Sequence, residues 1–285
     1  MLKEDSLFLT NQTLNFVEGP DHGPPLILLH GVLRQWSDFV PIIPQLSLRW
    51  KVYAIDFRGH GKSSRTPGHY LVADYLRDAA TFLNFQLREP AVVYGHSLGA
   101  MVALLMAAEM REHVKAIILE DPPFQTMGAR IRETPYYRQF SGMRQLLREG
   151  VSTGQLAADL AKVDISVPGR DTPARLGDVR DMAALRWLAT CLQQVDPDVF
   201  APIIEGRWLE GYDVDRTIQR VRCPTLVLQA DGDAGGMLAD DDAGFMERSI
   251  NECVRIRFPG VGHAVRGSAH EAWTRVVTNY LESVR

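Results

Sequence analysis

Six short apolar runs punctuate the chain, at residues 25–29, 51–55, 91–94, 114–119, 225–228 and 254–258. Each is rich in Val, Ile and Leu, most are followed by turn residues, and all have strand length rather than helix length. The first four are almost continuously apolar, the pattern of strands buried on both faces of a parallel sheet. Between them lie segments with helical spacing at residues 71–87 and 100–110, and a third closes the chain at 269–284, where Trp273, Val276, Val277 and Tyr280 share one face. Residues 7–17 alternate loosely, which predicts an antiparallel hairpin at the sheet edge. Strand and helix in alternation predict an α/β fold built on a mostly parallel, doubly wound sheet.

The rhythm breaks at residues 124–215. No strand pattern is evident there, and amphipathic segments at 136–147, 153–160 and 181–192 predict a helical insertion. The expected organisation is therefore a core made of residues 1–123 and 216–285 with a helical cap at 124–215. Ligands of open α/β sheets bind beyond the carboxyl ends of the strands, where an insertion after the fourth apolar run forms a roof. Its aromatic residues, among them Tyr136, Tyr137, Trp187, Phe200 and Trp208, are expected mainly in the cap's own core.

Composition narrows the function more than the fold. Of the 285 residues, 46% are hydrophobic and 23% charged, which is ordinary for a globular chain. A formal charge of −4 gives no reason to expect nucleic acid or an anionic membrane as partner, so a small-molecule substrate is the expectation. No stretch is long and apolar enough to span a bilayer, and the first ten residues lack the apolar core of a secretory signal. Three widely spaced cysteines, Cys191, Cys223 and Cys253, match neither a disulfide framework nor a metal knuckle and predict reduced thiols in a cytoplasmic protein. The composition does not address oligomeric state.

The strongest chemical signal is Gly95-His96-Ser97-Leu98-Gly99, set between a predicted strand and a predicted helix. A sharp strand-to-helix turn holds such a serine in a strained conformation, its hydroxyl exposed at the positive end of the helix, and the flanking glycines allow the close approach. A serine hydroxyl needs a base within hydrogen-bond reach to become a nucleophile. Of eight histidines, His263 in Phe258-Pro-Gly-Val-Gly-His263 follows the last strand and so shares the rim with Ser97. His30 and His60 belong to other strand-exit motifs, His22, His69, His113 and His270 have surface character, and His96 is expected to point away from the nucleophile.

A carboxylate must orient the imidazole, and two strand ends offer one. Asp233, or Asp231 beside it, lies in Gln229-Ala-Asp-Gly-Asp233; Asp121 lies in Glu120-Asp121-Pro-Pro123. Asp233 is the preferred reading and Asp121 the alternative. The developing oxyanion needs donors, for which the backbone amides of Leu98 and of Val32, just after His30-Gly31, are the candidates. Arg34, slightly further along, is positioned to meet an acidic group of a substrate. Asp56-Phe-Arg-Gly-His-Gly-Lys-Ser63 completes neither the Walker nor the dinucleotide glycine spacing and is read as structural.

These elements in this order make the chain resemble the α/β-hydrolase superfamily over nearly its full length, in its serine-nucleophile branch with a helical cap. They are the His30-Gly31 strand exit, the segment 56–63, the Gly95–Gly99 elbow and the loop ending at His263. The resemblance implies a catalytic triad with Ser97 as nucleophile, His263 as base and no cofactor or metal. Members of the family usually carry Gly-x-x-Asp after the penultimate strand; here Ala230 replaces the glycine while Asp233 keeps the spacing, and Asp121 is similar to the acid of members that place it one strand earlier. A serine rather than aspartate nucleophile is unlike the epoxide hydrolase and haloalkane dehalogenase branches. Hydrolysis of a small ester, lactone or amide is expected, with carbon–carbon bond hydrolysis, or lyase or cofactor-free oxygenase chemistry on the same scaffold, as alternatives.

Overall fold

The computed structural model describes residues 1–8, 12–134, 136–165, 167 and 174–285. Eight strands form one sheet in the order β1-β2-β4-β3-β5-β6-β9-β10: β1 (Lys3–Phe8), β2 (Thr13–Glu18), β3 (Pro25–Leu29), β4 (Lys51–Ile55), β5 (Ala91–His96), β6 (Val114–Glu120), β9 (Thr225–Ala230) and β10 (Cys253–Phe258). Two-residue strands β7 (Asp164–Ile165) and β8 (Ala174–Arg175) pair separately. β1 and β2 are antiparallel to their neighbours, and every other pair in the large sheet is parallel. This is the α/β-hydrolase fold.

All six apolar runs are strands, and four of them extend by a residue or two that still pair along the ladder. β3 and β5 are buried at every position, and β4 and β6 at all but one. Their odd and even positions feed two separate cores. On one face Ile27, Tyr53, Val93 and Ile117 pack with the helices Val72–Gln86 and Leu98–Glu109; on the other, Leu26, Val52, Val92 and Ile118 pack with Trp50 and with Trp273 of the closing helix His270–Ser283. The helix Leu98–Glu109 is buried at eleven of its twelve positions, so it is apolar all round instead of amphipathic.

The polypeptide between β6 and β9 contributes no strand to the large sheet among the described residues. Helices Tyr136–Leu146, Thr153–Leu160 and Met182–Gln193 occupy it, close to the three amphipathic segments expected there. Phe200 and Trp208 are fully buried. The helix Val214–Arg220 that leads back into the sheet packs on Leu98–Glu109. No helix among the described residues is long and apolar enough to cross a membrane.

Because β3 to β6, β9 and β10 run the same way, their carboxyl ends open on one rim. The chain goes from β3 outward to β4 and then returns to the other side of β3 as β5. The reversal puts the topological switch point between β3 and β5, whose exits carry His30-Gly31-Val32 and Ser97; such crevices are where ligands of open α/β sheets bind.

Candidate active site

Four non-glycine residues take positive φ among the described residues, and three of them sit at separate strand exits on this rim: Leu33 (φ 63) after β3, Ser97 (φ 55) after β5 and Asp121 (φ 47) after β6. Such backbone is costly, at about 1–3 kcal/mol per residue, and persists only where the surroundings dictate it. At Ser97 they do. A Cβ on Gly95 would lie 2.1 Å from the Gly99 carbonyl oxygen, and one on Gly99 would lie 2.0 Å from that of Leu29, so only two glycines let the turn close against β3. Ser97 N–H donates to the Glu120 carbonyl at 2.9 Å and Gly99 N–H to that of His30 at 3.1 Å, which ties the elbow to both neighbouring exits.

Ser97 thus stands at the head of the helix Leu98–Glu109, with 5% of its surface exposed. Leu98 N–H opens that helix and has no acceptor within it. Across the crevice Gly31 comes so near that an added Cβ would be 3.2 Å from Ser97 Cβ. Val32 follows Gly31, so its amide belongs to the turn that approaches the hydroxyl. The loop is held from beneath: neutral His30 donates from Nδ1 to the Gly31 carbonyl at 2.8 Å and accepts Phe57 N–H on Nε2 at 3.0 Å. Burial is the main reason its pKa falls to about 3. Asp56 accepts Trp36 N–H at 2.7 Å and Lys62 N–H at 3.0 Å, so the segment 56–63 supports the same loop.

His263 lies on the loop after β10, and its Nδ1 donates to Asp121 Oδ2 at 2.6 Å. The Asp121 carboxylate is fully buried and fully partnered. Oδ2 also accepts Met237 N–H at 2.8 Å, and Oδ1 accepts Ala230 and Leu238 N–H, each at 3.2 Å. The last amide of β9 and two amides of the loop after it therefore stabilise the charge that holds the imidazole.

The structure brings Asp121, the alternative acid, against His263 and leaves the preferred Asp233 apart from it. Asp231, immediately after β9, turns its carboxylate onto Asp233 N–H at 3.0 Å and Gly260 N–H at 2.7 Å, capping a short 3-10 turn. The turn carries Asp233 outward, where it is exposed, and the loop then folds back so that its Met237 and Leu238 amides face the Asp121 carboxylate. A cleft of about 370 Å³ opens on the far side of this loop, lined by Asp231, Met237, Asp240 and Arg257 among others, and it does not reach Ser97.

His96 reaches the histidine loop: Nε2 donates to the His263 carbonyl at 3.1 Å, and the two rings lie 4.7 Å apart. The missing side chain of Gly31 makes the room, since a Cβ there would be 2.9 Å from His96 Nδ1. Burial, then the positive field of Arg266, pushes the His96 pKa well below its ordinary value. It is a neutral wall against which the His263 ring rests. His22, His69, His113 and His270 are exposed, as expected.

Serine and imidazole thus share one rim and are flanked by the same ring, His96. No hydrogen bond joins the Ser97 hydroxyl to His263 among the described residues. With Nδ1–H committed to Asp121, Nε2 is the ring nitrogen left to take a proton. Arg34 has 29% of its side chain exposed and lies 3.9 Å from Asp38, a long contact for an ion pair. Cys191, from the helix Met182–Gln193, lies close to Arg34, and burial pushes its thiol up to about 12. Tyr136 donates to the Gly235 carbonyl at 2.9 Å, joining the insertion to the acid-side loop; burial and then Asp121 push its hydroxyl up to about 12. Cys191, Cys223 and Cys253 are all free thiols.

Sequence reasoning did not find the charges beneath the rim. Glu120, Arg266, Asp38 and Tyr94 form a buried network next to Asp121 and His263. Charged side chains are expected at the surface, and only a Glu directly before the acid and an Arg three positions after the histidine hinted otherwise.

The comparisons with known proteins agree with this fold. A family model described as the alpha/beta hydrolase fold matches residues 24–264. The chain is 25% identical over 274 residues to 2-(acetamidomethylene)succinate hydrolase of Mesorhizobium japonicum, covering 95% of this chain and 92% of the relative. It is 27% identical over 274 residues to a pimeloyl-[acyl-carrier protein] methyl ester esterase of Chromobacterium violaceum, covering 94% and 98%. Among solved structures, that of E-2-(acetamidomethylene)succinate hydrolase superposes with a TM-score of 0.74 at 21% identity, covering 99% of this chain and all of the other.

Proposed function

The chain belongs to the α/β-hydrolase fold family and is an enzyme, and from that premise we propose that it is a serine hydrolase that opens a small-molecule ester, lactone or amide through an acyl-enzyme on Ser97. The observation that carries the reading is the 2.6 Å hydrogen bond from His263 to a buried, amide-cradled Asp121, on the rim where Ser97 stands at a strained elbow.

In this reading His263 Nε2 takes the Ser97 proton as Oγ adds to the substrate carbonyl. Negative charge then develops on the carbonyl oxygen, and the amides of Leu98 and Val32 receive it; each such donor contributes about 3–4 kcal/mol to the transition state. The His263 imidazolium protonates the leaving alcohol or amine as its bond to the carbonyl carbon breaks. Water then adds to the acyl-enzyme with His263 again as base, Ser97 Oγ leaves, and the carboxylic acid is released. Asp121 keeps the proton on Nδ1 and stabilises the imidazolium without itself being protonated.

Residues 124–215 act as the cap, with Cys191 near Arg34 and Tyr136 on the acid-side loop among their points of contact with the rim. Arg34 takes an anionic group of the substrate: its guanidinium is partly exposed and only loosely held by Asp38. The name of one relative, which specifies a succinate, supports an acidic substrate.

Incubation with a fluorophosphonate tests the proposal. Intact mass is expected to rise by one adduct on the wild-type chain and not on Ser97→Ala, with ester hydrolysis lost in parallel. A Ser97→Ala chain that hydrolyses esters at the wild-type rate would end the reading.

A further inference from the structure

Glu120 occupies an unusual position for a glutamate. It is fully buried at the end of β6, and its polar groups join the elbow to the loop after β10. Its carbonyl accepts Ser97 N–H at 2.9 Å. One carboxylate oxygen accepts Arg266 N–H at 2.8 Å; the other accepts the Arg266 guanidinium at 2.8 Å and the Tyr94 hydroxyl, which in turn accepts Trp273 Nε1–H at 3.2 Å. The next residue is Asp121. Two consecutive carboxylates therefore grip the loop after β10, Asp121 at His263 and Glu120 three residues further on at Arg266.

Arg266 carries the connection onward. Its guanidinium spans from Glu120 to Asp38 and lies over the Phe39 ring at 5.1 Å. Asp38 belongs to the short 3-10 helix Trp36–Phe39, directly after the loop that holds Val32 and Arg34. Arg266 is 8% exposed, Glu120 0% and Asp38 14%, so this is a desolvated ionic bridge with little solvent screening. A planar guanidinium with a fixed fork of donors suits this task, since one rigid group sets the distance between two carboxylates.

We infer that Arg266 is a positioning residue for the hydrolytic reaction, fixing the histidine loop against both the acid strand and the oxyanion loop through Glu120 and Asp38. The inference rests on the Ser97 acyl-enzyme reading. It assigns Arg266 no contact with substrate; its effect runs through the distance between the His263 imidazole, the Ser97 hydroxyl and the Val32 amide. A displacement of about 1 Å in such a constellation lowers turnover by up to about 100-fold.

The test separates rate per active site from the number of active sites. Fluorophosphonate labelling to completion counts competent sites, and kcat and KM for a p-nitrophenyl ester are then expressed per labelled site in the wild type, Arg266→Lys, Arg266→Met and Asp38→Asn. Lysine keeps the charge but cannot bridge two carboxylates, and Asp38→Asn weakens the tie to the oxyanion loop while leaving the Glu120 pair intact. The expected order of kcat per site is wild type, then Arg266→Lys, then Arg266→Met, with Asp38→Asn also reduced, by roughly 10- to 100-fold at the extreme and with KM changed less than about twofold. If Arg266→Met does not fold, Arg266→Lys and Asp38→Asn still decide. Wild-type kcat per labelled site in both of them overturns the inference, as does a loss of labelled sites with no loss of rate per site. A wild-type chain that hydrolyses the ester without labelling overturns the acyl-enzyme reading, and that outcome is seen before any variant is compared.

Discussion

Replacing Asp121 with asparagine exchanges one carboxylate oxygen for an amide nitrogen, and the surroundings dictate where that nitrogen goes. Oδ1 faces two backbone donors, Ala230 and Leu238 N–H, whereas Oδ2 faces Met237 N–H and the His263 ring. Placing the new NH2 at the Oδ1 position sets it against two fixed donors. At the Oδ2 position it opposes only one, because the imidazole can change tautomer and accept. The side chain therefore settles with its oxygen on Ala230 and Leu238. The Met237 amide is left without its acceptor, a loss of about 1–3 kcal/mol of stability. His263 then carries its proton on Nε2, the nitrogen that must take the Ser97 proton.

A wrong tautomer with intact geometry costs on the order of 10^4-fold in kcat, or about 5.4 kcal/mol of transition-state stabilisation. Asp233→Asn touches an exposed side chain on a turn capped by Asp231, so its activity is expected within about twofold of wild type and its stability within about 0.5 kcal/mol. Steady-state hydrolysis of a p-nitrophenyl ester, with urea denaturation of the same preparations, measures both. An Asp121→Asn chain within tenfold of wild-type kcat would refute the reasoning, and an Asp233→Asn chain that lost most of its activity would move the acid to the neighbouring strand.

Three more outcomes follow from the same contacts. Gly99→Ala would place a Cβ 2.0 Å from the Leu29 carbonyl oxygen; since backbone must move, a loss of more than about 3 kcal/mol is expected, and a Gly99→Ala chain with unchanged melting temperature would contradict the close approach. Arg34→Gln is expected to raise KM about tenfold for an ester carrying a carboxylate and to leave a neutral ester of equal size unchanged, and equal effects on both would remove Arg34 from substrate binding. Burial holds the folded pKa of His30 at about 3 and of His60 at about 4, and His96 well below its usual value. Each shift is downward, so the folded chain stays unprotonated at these sites while the unfolded chain takes up protons below about pH 6.5. Their contribution to stability is intact above that pH and is lost as pH falls towards 4, by up to about 4 kcal/mol per pH unit for the three together; urea midpoints that stay flat from pH 7 to pH 5 would contradict it.

The central strands were legible in the sequence because the sheet is covered on both faces there, so burial leaves no polar alternation and the apolar runs stand out. Their ends were less so. Gly95 and His96 belong to β5 and Glu120 to β6, positions where polar or small residues complete the ladder without adding hydrophobicity. Ser97, His263 and the Gly31-Val32 turn were legible as a set for a different reason: parallel strands deliver all their exits to one rim, so strand order alone brings distant loops together. The neighbour relations of the histidine were not. His96 packs on His263 because Gly31 lacks a side chain, a coincidence of two strand exits 65 residues apart that no local pattern records.

The acid shows where strand-exit reasoning stops. β6 and β9 are adjacent in the sheet, so Asp121 and Asp233 leave the same rim side by side, and both follow Ser97 and precede His263 in the chain. What separates them is side-chain direction, and that is set by residues that have no part in the chemistry. Asp231 caps the turn after β9 and sends Asp233 into solvent, and the returning loop offers Met237 and Leu238 amides to a carboxylate it does not supply. The loop after β9 thus completes the site with donors in place of an acid. A carboxylate added at Gly236 or Met237 would not substitute for Asp121: it would have to displace the amides that make a buried charge tolerable there, so the acid can move to β9 only if that loop is rebuilt as well.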